Sequence, residues 1–181
     1  MSRSGYSDDC DGWALIRWRG AVESAIRGQR GQAMLRELVQ ALDALPEKCL
    51  AADSLVNSEG DYCAFGALGL ARGMDLAAID PEDSAGVARA FGVSDALARE
   101  VMHRNDDDNT WLWVDVEFCG PVRPHYPDYG RHTKTVRVHN DDHLRERWQR
   151  MKAWAAANLK PANVANNRIA ADREAGCCNS G

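Results

Sequence analysis

Four of the five histidines of this chain, His125, His132, His139 and His143, fall in one stretch together with Cys119, Asp128, Asp141 and Asp142. These are metal-ligand types, and His139 and His143, four apart, would share one side of a helix. The surrounding pattern, however, ends a strand at His139 and opens a helix at His143, so the two are not a helical pair, and no third ligand follows at a recognised spacing. Asp106, Asp107 and Asp108 lack the glycine and the closing glutamate of a calcium loop. The six cysteines, at 10, 49, 63, 119, 177 and 178, contain no Cys-x-x-Cys pair. Nor is there a nucleophile elbow, a phosphate-binding loop, a dinucleotide glycine fingerprint or a His-Glu-x-x-His. We therefore expect no metal, no cofactor and no catalysis.

Binding chemistry has better candidates. Ala88, Gly92, Val93, Ser94 and Val101 stand where a helix-turn-helix places its small residue, turn glycine, turn apolar residue, cap and core residue. In that reading Ser94, Arg99, His103 and Arg104 would meet DNA in the major groove. Charge opposes it: from Asp75 to Asp108 nine acids face three arginines, and Asp95 and Glu100 on the would-be reading helix would repel phosphates. Ala98 is also small where such a motif carries a larger aliphatic. A helical hairpin is the simpler account, and nucleic acid is a disfavoured partner.

Near the start, Trp13, Arg17, Trp18, Arg19, Arg27, Arg30 and Arg36 outnumber Glu23 and Glu37. Arg17, Arg19 and Arg27 could meet phosphate or an acidic protein surface, but the simpler account is a solvated face, with Trp18 in the core and some of the arginines pairing with Asp8, Asp9 and Asp11.

The third candidate comes from a change of period. From Thr110 to Phe118 the residues alternate, with Leu112, Val114, Val116 and Phe118 on one face and Trp111, Trp113, Asp115 and Glu117 on the other. Lys134, Val136 and Val138 alternate likewise, so the two runs predict a hairpin over 110–139, joined by a long loop from Cys119 to His132. The aliphatic face should cover the helices, which leaves the tryptophans at least partly exposed unless the Cys119–His132 loop or the tail folds back over them. Trp111, Trp113, His125, Tyr126 and Tyr129 are thus the residues expected to contact a protein partner.

The elements that hold these residues are mostly helical. Leu15, Trp18, Val22, Ala25 and Ile26 mark a first helix stopped by Gly28, with Asp8, Asp9 and Asp11 ahead of it to complement its positive end. Leu35, Leu38, Val39, Leu42 and Leu45 mark a second, broken by Pro46. Ala64, Gly66, Ala67, Gly69 and Ala71 describe a short helix of small residues built for close packing. Asp80 and Pro81 predict a helix start, with Val87, Ala88 and Phe91 on its inner face and Gly92 as its stop. Ser94 caps the next helix, and Asn140 or Asp141 the last, with Leu144, Trp148, Met151 and Ala155 in register. The expected fold is mainly α (α+β), with five to six helices and one β-hairpin in a single domain over 1–160. A flexible tail follows over 161–181.

Composition agrees with a globular chain. Of the 181 residues, 45% are hydrophobic and 27% charged, with a formal charge of -5, which excludes bulk disorder and collagen. No run is long and apolar enough to span a bilayer. Arg3 is followed by Ser-Gly-Tyr-Ser-Asp-Asp, not by an apolar run, so we expect no export signal. The expected setting is a reducing cytoplasm, with Cys49 and Cys63 as small buried hydrophobes.

The segments 4–11, 13–48, CAFGALGLARGMDL (63–76), DPED (80–83), FGVSDALAREVMHRND (91–106) and RWQRMKAW (147–154) resemble a group of small uncharacterised proteins of phages and prophages of proteobacteria. The resemblance covers about positions 4–106 and 145–160. It departs at 109–140, where the strand pair replaces a shorter link, and in the tail. It implies the host-cell cytoplasm and an accessory role, such as an anti-defence inhibitor or modulator that binds a host protein. It carries no assigned catalytic or ligand residues.

Overall fold

The computed structural model describes residues 12–106 and 110–161. Asp8, Asp9 and Asp11, the pair Asp107–Asp108, and the tail from 162 with Cys177 and Cys178 lie outside the described residues. Six α-helices and one antiparallel hairpin follow in the order α1 (Gly12–Arg27), α2 (Gln29–Ala44), α3 (Ala64–Ala71), α4 (Ser84–Phe91), α5 (Asp95–Asp106), β1 (Trp111–Pro121), β2 (Arg131–His139) and α6 (His143–Ala157). The chain is mainly helical, as its apolar spacing predicts. Among the described residues no helix is long and apolar enough to cross a membrane.

The core is built around α2. Its Met34, Leu35, Leu38 and Leu42 are fully buried, and the helix packs against α3 on one side and α6 on the other. Leu at i, i+3 and i+7 puts one stripe inward, which is what fixes the helix in place. The small residues of α3 work as expected. A Cβ on Gly66 would lie 1.9 Å from the Leu55 carbonyl oxygen, so only glycine admits the neighbouring backbone there. Phe65 of α3 meets Phe91 of α4 with ring centroids 4.7 Å apart.

Between α2 and α3 the chain runs without regular structure, yet Leu50, Ala51 and Leu55 are buried. Buried backbone of this kind must find partners, and two polar side chains supply some of them. Asn105 of α5, itself 1% exposed, donates to the Ala51 carbonyl at 2.8 Å and accepts from the Ala64 amide at 2.9 Å. Arg147 of α6 donates to the Leu50 carbonyl at 2.8 Å. At the other end of the molecule, buried Gln32 donates to the carbonyls of Ile26 and Asn158 and accepts from the Lys160 amide. It ties the α1–α2 joint to the end of α6.

Several boundaries differ from their expected places. Asp80 does not cap a helix: its carboxylate accepts from the Glu82 amide in a local turn, and α4 begins only at Ser84 after Asp83. A short side chain two residues from an amide competes well with a helix start. Ser94 does cap α5, accepting from the Leu97 amide, and Gly92 closes α4 at φ 69°. The last helix starts at His143, with Asn140 accepting from the Asp142 amide just before it. Both strands extend into the expected loop, leaving only 122–130 between them with one 3-10 turn at Pro127–Tyr129.

The main difference concerns the hairpin's faces. The expected packing of the aliphatic face onto the helices does not occur. Leu112, Val114, Val116 and Phe118 are exposed, and so are Trp111 and Trp113 on the other side. Among the described residues neither strand packs broadly on any helix, and the main neighbours of β1 are β2 and the tip turn. The hairpin is an arm projecting from a helical body.

Candidate interaction surface

Register pairs Trp111 with His139, Trp113 with Arg137, Asp115 with Thr135 and Glu117 with Thr133, and a bulge between Glu117 and Pro121 shifts the tip. Gly120 at φ 74° provides the left-handed turn that this bulge needs. Along its length the arm is held by pairs across its strands. Arg131 donates twice to the Glu117 carboxylate, both at 2.9 Å. Thr135 donates to Asp115 at 2.6 Å. The Arg137 guanidinium lies 4.6 Å from the Trp111 ring centroid, and Arg123 lies 4.2 Å from that of Tyr129.

The base is a stack of rings. Trp111 meets His139 edge-on at 5.3 Å, and His139 meets His143 edge-on at 5.5 Å. Asp141 sits 2.8 Å from His139 Nδ1, and the Asn140 amide donates to the Thr110 carbonyl at 2.8 Å, closing the arm where it joins the body. His139 and His143 thus do come together, as neighbours in a stack. Among the described residues no three of His, Cys, Asp and Glu converge on one point. His125 and the tyrosines Tyr126 and Tyr129 form the exposed tip.

The arm therefore collects residue types that anchor interfaces: two tryptophans, two tyrosines and stacked arginines. Trp113 is 70% exposed and Phe118 61%. Isolated apolar residues at a surface mean little, but these lie side by side along both faces of one element. The aliphatic half of this surface was hidden from sequence reasoning by the assumption that an apolar stripe must face the core.

The arginine face of α1 is also exposed. Arg17 and Arg19 point to solvent, Arg27 pairs with Glu23 at 3.3 Å, and Trp13 beside them is 75% exposed. Trp18 is half-buried, with the Arg99 guanidinium 6.0 Å from its ring centroid. It lines a groove of about 630 Å³ between α1, α5 and the end of α6, together with Val22, Glu100, His103, Arg104 and Trp154.

The four residues of the DNA reading are differently placed. Ser94 is occupied in capping, Arg99 pairs with Asp95 at 3.0 Å, and Arg104 pairs with Glu100 at 2.8 Å. His103, like Arg104, is exposed, while helix α5 is packed against α1, α3, α4 and α6.

Among the described residues three cysteines form no disulfide: Cys63 is buried, Cys49 half-buried and Cys119 exposed on β1. Cys63 also caps α3, its sulfur accepting from the Gly66 amide. Burial pushes the Cys49 thiol above its ordinary range, with Arg145 opposing in part. No family model, curated protein or solved structure matches the chain.

Proposed function

We propose that this chain is a non-catalytic interaction protein whose β-hairpin arm is the contact surface for a protein partner. The observation that carries the reading is the arm itself, a two-stranded element with anchoring side chains exposed on both faces. Folding leaves such a surface bare only at a cost in apolar hydration, and binding recovers it. Trp111, Trp113, His125, Tyr126 and Tyr129 supply the contacts, and Arg17, Arg19 and Arg27 on α1 are the next surface to test. The resemblance to phage and prophage proteins suggests the setting: an accessory protein in the host cytoplasm that engages a host factor or defence complex as inhibitor or modulator.

The test is capture of partners from host lysate, with and without nuclease. A partner retained after nuclease treatment, and weakened by at least about 2 kcal/mol in Trp111→Ala/Trp113→Ala, supports the arm. Loss of all capture on nuclease treatment, or binding unchanged by the double substitution, overturns it.

A further inference from the structure

A two-stranded hairpin alone in water is marginally stable, and a third strand or a packed face is what usually makes a sheet secure. Among the described residues no helix covers either face broadly, so the outer edges become the question. They are unlike. Strand β2 carries Arg131, Lys134 and Arg137 with no acid, a charge row that discourages pairing with its own kind. Strand β1 has no lysine or arginine and no proline before Pro121. The Asn140 amide bonds the Thr110 carbonyl, and the register continues in step from there. The even-numbered residues of β1 thus exchange hydrogen bonds with β2, while Trp111, Trp113, Asp115 and Glu117 turn their N–H and C=O groups to the outer edge.

Around Val114 this edge is antisymmetric. Two tryptophans precede it and two carboxylates follow it. Indole N–H donates only, and a carboxylate accepts at several positions, so Asp115 and Glu117 keep acceptor capacity beside Thr135 and Arg131. One kind of strand sets donors against acceptors along the full length: a second β1 running antiparallel. We propose that β1 pairs with β1 of a second copy of this chain, with Val114 on the two-fold axis. Trp111 then faces Glu117, Trp113 faces Asp115, and Leu112 faces Val116 of the other copy. Sliding by two residues in one direction sets Asp115 against Asp115, and in the other leaves Glu117 beyond the strand. The ladder is about 24 Å long with about eight new hydrogen bonds. The product is a four-stranded sheet, β2–β1–β1–β2, whose aliphatic side chains all lie on one face. This pairing is independent of which partner the arm takes, because it is a property of the purified chain.

Sedimentation of the purified full chain at micromolar concentrations tests the association; a dimer is expected, and a monomer overturns the proposal. Register is tested by cross-linking in a background with Cys10, Cys119, Cys177 and Cys178 changed to serine. Across the axis the two Val114 Cα atoms would stand about 4.5 Å apart, within disulfide reach. Val114→Cys should oxidise to a covalent dimer and Leu112→Cys should not; the reverse, or equal yields, overturns the pairing. Asp115→Pro removes an outward N–H, and with it the Thr135 side-chain contact, but no backbone bond of the β1–β2 ladder. It should weaken the dimer about tenfold or more while the helical body unfolds at its usual temperature. Unchanged association in this variant also overturns the proposal.

Discussion

The helical body and the arm solve the same problem of apolar surface in opposite ways. In the body, helices close on each other, and even the irregular stretch between α2 and α3 is buried by giving its backbone to Asn105 and Arg147. In the arm, strands with as much apolar character stay bare, and the elements are held by pairs across the ladder: Arg131 with Glu117, Thr135 with Asp115, Arg137 over Trp111. One region spends its side chains on itself. The other displays them. A substitution should therefore be felt as stability in the body and as association in the arm.

The largest expected effect is in the body. Asn105→Ala strands the Ala51 carbonyl and the Ala64 amide in a buried site, and should lower unfolding stability by about 3 kcal/mol in chemical denaturation. A loss below 1 kcal/mol would mean that water replaces the side chain and the segment is less tightly pinned than its geometry indicates. Next, Ser94→Ala removes the cap of α5 and should remove about 1 kcal/mol. In the arm, Trp113→Ala should shift stability by less than about 0.5 kcal/mol, since the side chain is mostly in water. A loss as large as that at Asn105 would erase the distinction between the regions. Of similar size, Glu117→Gln weakens a surface ion pair and should change stability by about 0.5 kcal/mol or less.

Thiol labelling sharpens the same contrast through a different readout. With each site followed by peptide mass, Cys119 on the arm should react first at neutral pH. Cys49 should lag, because burial raises its pKa and lowers its thiolate fraction, and Cys63 should react only on unfolding. Cys63 labelling at the rate of Cys119 would show that the body opens easily.

Most of the body was legible in the sequence because helix periodicity and stops are local. Leu35, Leu38 and Leu42 fall on one stripe, and Gly28, Pro46 and Gly92 end their helices where their chemistry requires. Asn105, Gln32 and Arg147 were not legible, since a polar residue on a helix gives no sign that its partner is 54 residues away in one case and 97 in another. The start of α4 was missed because Asp80 offers a turn as readily as a cap. The arm was legible as two alternating strands with exposed tryptophans, but alternation says only that the two faces differ. It does not say that either is covered. The inference from an apolar stripe to a buried one needs something to bury it, and that information is tertiary.

The bond between the Asn140 amide and the Thr110 carbonyl has a topological meaning. The chain leaves the body at Thr110 and returns at Asn140, within one hydrogen bond of where it left, so everything between is a graft on one narrow base where His139 meets His143. Helices α5 and α6 would meet the same neighbours if that graft were a two-residue turn or a different arm altogether. The side chains that the arm displays can change without any rearrangement of what holds the body together.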